Sequence, residues 1–166
     1  SICQYLIQWF SKNNEIDLSD IVGTLSDCII YKNVSDEMRQ IILNSVTEIM
    51  SNATEATLIQ NSTYLMNVLV QDEASSQLVP CVLGLIPIFE SWRQLAENSK
   101  FGYQEVVANI ASLYLQLAIR CQEFPPNLVV YSIEQYPPFD HCETVSMTNA
   151  IFTLLQSNPN PEFLEP

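Results

Sequence analysis

Residues 101–123, FGYQEVVANIASLYLQLAIRCQE, carry apolar side chains on two stripes at helical spacing. The first stripe comprises Val106, Ile110, Leu113 and Leu117, and the second comprises Val107, Tyr114 and Cys121. A helix that covers a single core from the protein surface shows only one apolar face. Two apolar faces on one long helix therefore predict neighbours on both sides, as in a stacked array of helices.

The composition restricts the chain to a folded, helix-rich class. Its 166 residues suffice for one compact domain or for about four two-helix repeats of roughly 40 residues each. A hydrophobic share of 48% argues against a disordered chain. Only 3 glycines occur, and they are isolated, which argues against the many tight turns of a β-sandwich or barrel.

Apolar periodicity, capping residues and prolines divide the chain into about eight helices. The predicted helices cover residues 2–10, Asp17 or Ser19 to 29, Ser35 to 49, Asn52 or Thr54 to 69, 77–98 with a bend or a break at Pro87, 101–123, 128–136 and 143–156. For the predicted helix at 128–136, a short strand at 128–131 is the alternative. The connection at 32–34 is so short that it predicts an antiparallel hairpin of the two helices it joins.

The unit that recurs is a helix, a short polar turn and a second helix, about every 35 to 50 residues. We therefore predict an all-α fold, an α-solenoid of antiparallel helix pairs of the HEAT or armadillo type. Residues 1–166 would form a single solenoid segment of about four repeats. Because the chain starts within an amphipathic run at Ser1 and ends in a proline-rich stretch, we expect a fragment of a longer protein.

The net charge of −13 limits the partners that this chain can attract. A negative field of that size repels nucleic acid and anionic lipid and favours basic proteins, although solubility alone is the alternative explanation. The densest acidic group lies on one predicted helix and consists of Glu15, Asp17, Asp20 and Asp27. This group is either a partner contact or a solvated helix face. Trp9 and Trp92 are candidate interface anchors, since tryptophan is enriched at binding hot spots, with core packing as the alternative.

The sequence carries no recognisable catalytic or metal-binding motif. His141 is the single histidine, and its neighbour Cys142 would not face it on a helix, so a catalytic dyad is not expected. No glycine-rich phosphate loop, CxxC pair or nucleophile elbow occurs in the sequence. We expect no enzyme activity, no cofactor and no metal.

The cysteines indicate a reducing compartment, because their number is odd and no two are close in sequence. They are Cys3, Cys28, Cys81, Cys121 and Cys142, and all but the last fall on apolar helical stripes. The triplets that begin at Asn33, Asn52 and Asn61 match the N-glycosylation pattern, so a secreted protein stays an alternative. No apolar run reaches the roughly 18 residues that a membrane span needs.

Two long runs are LGLIPIFESWRQLAENSKFGYQEVVANIASLYLQLAIRC at 83–121 and VVYSIEQYPPFDHCETVSMTNAIFTLLQ at 129–156. Both resemble the middle HEAT repeats of the importin-β superfamily of nuclear transport receptors, the karyopherins. The earlier segments YLIQWF and LSDIVGTLSDCIIYKNVSDEMRQIILNSVTEIM are similar to the preceding repeat. The likeness is greatest to the branch of importin thirteen and transportin three. There a tryptophan follows the phenylalanine that Phe152 matches, whereas this chain has Thr153.

The resemblance implies a receptor that wraps protein cargo on a concave helical surface and moves between cytoplasm and nucleus under control of the GTPase Ran. The main Ran site would lie in repeats before Ser1, and no individual contact residue can be transferred. The expected partners are a basic protein cargo and Ran, without direct contact to nucleic acid or membrane. A helical-repeat scaffold or adaptor without Ran dependence is the first alternative. An enzyme or a lipid-carrying helical bundle is the second.

Overall fold

The computed structural model describes residues 2–10, 15–31, 34–99 and 103–157. Within these ranges the chain forms helices and no strand, so the all-α prediction is confirmed and the strand alternative at 128–131 is wrong. The α-helices are α1 (Ile2–Ile7), α2 (Glu15–Tyr31), α3 (Asp36–Met50), α4 (Ala56–Gln71), α5 (Val79–Leu83), α6 (Ile86–Asn98), α7 (Gln104–Arg120), α8 (Pro126–Glu134) and α9 (Thr144–Ser157). Two short 3-10 helices, Glu73–Leu78 and His141–Glu143, precede α5 and α9.

The long helix expected at 77–98 is divided, as Pro87 predicts. The segments Glu73–Leu83 and Ile86–Asn98 meet at a bend of 74°. Pro87 lies in the first turn of α6, where a missing backbone N–H costs no hydrogen bond, and Pro80 has the same place in α5. The bend separates α5 from α6 and brings the latter against α7.

Helix α7 has neighbours on several sides, as its two apolar stripes predict. Every residue from Ala108 to Leu117 is buried, which includes polar Asn109 and Ser112. Helices α4, α6, α8 and α9 all pack against it. The predicted start of this helix at Phe101 lies outside the described residues.

Helices α2, α4, α7 and α9 form a row in which each helix packs on the next. Between α4 and α7, the Asn109 amide donates to the Gln60 carbonyl over 3.4 Å, and the Arg120 guanidinium donates to the Gln71 carbonyl over 3.1 Å. Both pairs are 49 residues apart in sequence. The partners therefore advance together along the two helices, which run in the same direction. We call these four helices the central row.

The other neighbouring helices of the central row also run in the same direction. Asn61 of α4 bonds to Ser19 near the start of α2, 42 residues away. The C-terminal ends of the same two helices line one cleft, so α2 and α4 are parallel. Between α7 and α9, Ser112 bonds to Ser146, 34 residues away, and Arg120 and Thr153 line a common cleft farther along. Polar side chains make these bonds between helices, and they specify the register of helices whose buried surfaces are otherwise apolar.

The remaining helices pack beside the central row. Helix α1 contacts α2 and α3, while α6 and α8 contact α7. Helix α3 contacts α2 less than it contacts α4, so the hairpin expected from the short connection at 32–34 is not the main packing of α2. The main partner of α2 is α4, and Val22 and Leu25 of α2 are fully buried.

Several helix ends differ from the predicted ones. Helix α2 begins at Glu15, so the proposed caps Asp17 and Ser19 lie inside it, and Ser19 is buried against Asn61 instead. Glu55 caps α4 in place of Asn52 or Thr54, because its carboxylate accepts the Leu58 amide at 2.7 Å. The predicted N-cap of α3 is confirmed, since the Ser35 hydroxyl accepts a hydrogen bond from the backbone N–H of Met38.

Candidate functional site

A cleft of about 420 Å³ opens where the ends of α2 and α4 approach the start of α9. Ile29, Ile30, Tyr64 and Val68 supply much of its wall, and the carboxylates of Asp72 and Glu143 also line it. We call this opening the acidic cleft. It draws residues from helices that are far apart in sequence, so it exists only when the central row is assembled.

Glu143 is the most buried acid of the cleft, with 3% of its surface exposed. The Asn67 amide donates to Oε2 of its carboxylate over 3.1 Å, and the Ser112 hydroxyl also donates to the carboxylate. Burial raises the pKa of Glu143 despite these bonds, and the nearby charge of Asp140 adds to the rise. The carboxylate is thus held by neutral donors at the wall of an open cleft.

The Glu143 contact belongs to a buried polar network that crosses three helices of the central row. The Asn67 amide also donates to the Ser112 hydroxyl over 3.0 Å, and that hydroxyl lies 3.1 Å from the hydroxyl of Ser146. Gln116 donates to the Ser146 hydroxyl over 3.1 Å. Because the bonded groups lie on α4, α7 and α9, the network positions Glu143 relative to all three helices.

Asp72 contributes less negative charge to the cleft, because Arg39 neutralises it. The Arg39 Nε atom lies 2.8 Å from a carboxylate oxygen of Asp72, and the guanidinium also donates to the Val34 carbonyl. Arg39 is buried, with 6% of its surface exposed. Asp72 also caps the following 3-10 helix, where its carboxylate accepts from Ala74 and Ser75. This ion pair ties α3 to the end of α4.

Among the described acids of the group predicted on α2, Asp27 is the one that acts on Tyr64 in the cleft wall. Asp27 is exposed, and with Glu143 it raises the pKa of Tyr64, to which burial of the hydroxyl contributes most. Asp20 and Asp17 are also exposed but lie about 10 and 15 Å farther down the helix, at 1.5 Å per residue. The side chain of Glu15 lies outside the described residues.

The two tryptophans occupy different environments. Trp92 is buried, with 4% of its surface exposed, and its ring lies 6.0 Å from that of Phe89. This burial matches the core-packing alternative and leaves little indole surface for a partner. Trp9 is 42% exposed and packs edge-on against Tyr5, so the core-packing expectation is wrong for this residue.

A second cleft, of about 280 Å³, continues from the acidic cleft. The two share Gln71 and Ser146 as walls, and the second also contains Gln116, Arg120 and Asn149. Its lining is mostly polar. The two clefts meet at Gln71 and Ser146, and the second lies between α7 and α9, where it carries the Arg120 guanidinium.

Comparison with protein-family models, with curated proteins and with solved structures found no match. The resemblance to importin-β receptors therefore stays a prediction. Among the described residues, no group of three or more His, Cys, Asp or Glu side chains could hold a metal ion. No single helix in the described ranges is long and apolar enough to cross a membrane, whereas the bent pair Glu73–Leu83 and Ile86–Asn98 meets the length and composition limits when taken together.

Sequence reasoning missed the centre of this site. Position 143 entered the prediction only as the start of the last helix, and Asn67 was not singled out. A usable signal was present, because Asn67 interrupts the apolar run from Leu65 to Val70, where a buried amide requires partners. The sequence does not reveal which partner, since Glu143 follows 76 residues later.

Proposed function

We propose that this chain is a segment of an α-solenoid that binds a protein partner and catalyses no reaction. The parallel central row supports this proposal, since equivalent helices of successive repeats run in the same direction in a solenoid. Contacts at sequence separations of 42, 49 and 34 residues between successive helices fit a repeat of roughly HEAT length. Each helix would then contact mainly its neighbours, and small rotations per repeat would change the curvature.

The acidic cleft suits a basic segment of the partner. The observation that carries this assignment is the buried Glu143 carboxylate, which neutral donors hold at the cleft wall. A lysine or arginine from a partner would offset the cost of removing this charge from water. The apolar wall around Ile29 and Val68 suits the aliphatic stem of such a side chain. Asp27 and the net charge of −13 would attract the basic segment over a longer range.

Within this class, we propose a nuclear transport receptor as the specific role. The supporting observation is the likeness of residues 83–121 and 129–156 to importin-β repeats, together with the helical row. The receptor would carry basic cargo between cytoplasm and nucleus, and Ran would bind mainly through repeats outside this segment. Ran and cargo would each bind one curvature of the solenoid more tightly and so increase the population of molecules with that curvature.

Fluorescence anisotropy with a labelled peptide rich in lysine and arginine tests the binding proposal. We expect Asp27→Asn to weaken binding about two- to fivefold, since a partly exposed charge pair contributes up to about 1 kcal/mol. Asp20→Asn is the matched control on the same helix, about 10 Å away, and should have a smaller effect. Equal binding of a peptide with glutamine at every basic position would overturn the assignment to the acidic cleft.

A pull-down of the full-length protein with Ran tests the specific role. The transport receptor proposal predicts stronger retention with GTP-loaded Ran than with GDP-loaded Ran. Equal retention of both forms, or no retention, would contradict the transport receptor proposal. The remaining alternative would then be a helical-repeat scaffold that does not depend on Ran. The peptide experiment tests binding at the acidic cleft separately from the transport role, because binding of a basic peptide there does not depend on Ran.

A further inference from the structure

Cys3 of α1 and Cys28 of α2 are far apart in sequence but lie together in the fold. Both are buried, with 3% and 6% of their surfaces exposed, at the contact between the two helices. The Cys28 thiol is a direct neighbour of the Cys3 thiol, close enough to raise its pKa. Both are free cysteines in this structure. Cys81, by contrast, is exposed, so its expected place on an apolar stripe is wrong.

We propose that Cys3 and Cys28 are a redox-active pair that forms a disulfide by exchange with a small-molecule disulfide of the glutathione type. Such a bond requires two cysteines that face each other on neighbouring backbone segments. Cys3 and Cys28 are both buried, on helices that pack against each other. The bond would link α1 covalently to α2. The site lies apart from the acidic cleft, so this inference does not depend on the proposed binding function.

The exchange proceeds in two balanced steps. The thiolate of one cysteine attacks a sulfur of oxidised glutathione, which forms a mixed disulfide and releases one glutathione thiolate. The thiolate of the second cysteine then attacks the protein sulfur of that mixed disulfide and releases the second glutathione. The two protein thiols are oxidised, glutathione disulfide is reduced to two glutathione molecules, and the two protons pass to the released thiolates.

The rate of this exchange depends on opening of α1. Burial, with a smaller contribution from Cys28, raises the pKa of Cys3 and so lowers the share of reactive thiolate in the closed state. In the structure α1 is held by its contacts with α2 and α3 and does not contact the other helices of the central row extensively. Local detachment of α1 would expose both thiols without unfolding the central row.

Peptide mapping under non-reducing conditions tests the proposal on the full chain after incubation with oxidised glutathione. We expect a cross-linked peptide pair containing Cys3 and Cys28, formed at least about tenfold more slowly than exposed Cys81 reacts. A urea concentration below the unfolding transition should accelerate the cross-link and leave the Cys81 rate nearly unchanged. In the Cys28→Ser variant, Cys3 should retain one glutathione, whereas the control Cys121→Ser should cross-link as the unaltered chain does.

Three outcomes would overturn the proposal. The first is that Cys3 and Cys28 both stay reduced, in buffer and in low urea, while Cys81 is fully modified. The second is that each of the two carries its own glutathione, and the third is that either pairs with a different cysteine. Because the decisive mapping uses the unaltered chain, a folding defect in the Cys28→Ser variant would not affect the result.

Discussion

The Asn67 amide and the Glu143 carboxylate lie 76 residues apart in sequence and are hydrogen-bonded over 3.1 Å. This bond joins α4 to the 3-10 helix before α9, and the same Asn67 amide also donates to Ser112 of α7. It therefore combines two roles. It holds three helices of the central row in register, and it places a buried negative charge at the wall of the acidic cleft.

Replacing Asn67 with leucine should destabilise the fold. The change keeps the size of the side chain but removes the donor to Glu143, which leaves a buried carboxylate with one fewer bond. We expect a loss of about 1–3 kcal/mol in the free energy of unfolding, measured by urea denaturation at neutral pH. Asn98→Leu makes the same chemical change at an exposed position and should alter stability by less than about 0.5 kcal/mol. Similar losses in both variants would contradict a structural role for the bond.

The stability difference between the unaltered chain and Glu143→Gln should depend on pH. The pKa of Glu143 is raised in the folded state, so this state binds the proton more tightly than the unfolded chain does. The protonated side chain therefore contributes stability that is fully present below the unfolded pKa of about 4.3 and is lost as pH rises through the folded pKa. Urea denaturation of both proteins from acidic to neutral pH should show the unaltered chain losing stability relative to the variant. A relative gain would show that the folded pKa is lowered instead.

The hydroxyl groups of Tyr114 and Tyr131 should contribute differently to stability. Tyr114 donates to the Glu90 carboxylate over 2.7 Å, whereas the buried Tyr131 hydroxyl has no hydrogen-bond partner among the described residues. Tyr114→Phe should cost about 1.5–3 kcal/mol, since a bond to a charged group is lost. Tyr131→Phe keeps the ring beneath the Arg93 guanidinium and should be neutral or stabilising. Thermal or urea unfolding of the two variants compares them directly, and an equal or larger loss for Tyr131→Phe would be inconsistent with these contacts.

The helical class and much of the chain division followed from periodicity alone. The stripes of α7 predicted its neighbours, and Pro87 predicted the break before α6. These features depend on residues near each other in sequence. The bounds of the last helix were predicted closely, but its apolar side is covered only in part, since Ile151 and Leu154 remain partly exposed beside the buried Met147. An apolar stripe indicates which side of a helix prefers burial but not whether a neighbour covers its whole length.

The long-range pairs could not be predicted in the same way. Ser19 is an acceptable helix cap by residue type, but in the fold it lies within α2 and bonds to Asn61 of α4. Cys3 and Cys28 likewise carry no signal that joins them. A single sequence reports local preference, whereas such pairs depend on which helices become neighbours. For the same reason, Asp27 could not be distinguished from Asp17 as the acid closest to the cleft.

The account depends most on the central row, with α4 between α2 and α7. Nuclear Overhauser contacts from the side-chain amide protons of Asn61 and Asn67 measure this arrangement directly in solution. We expect Asn61 to show contacts to Ser19, and Asn67 to show contacts to Ser112. If the helices are formed but these amide protons instead contact only residues of α3, the row and the acidic cleft built on it are wrong.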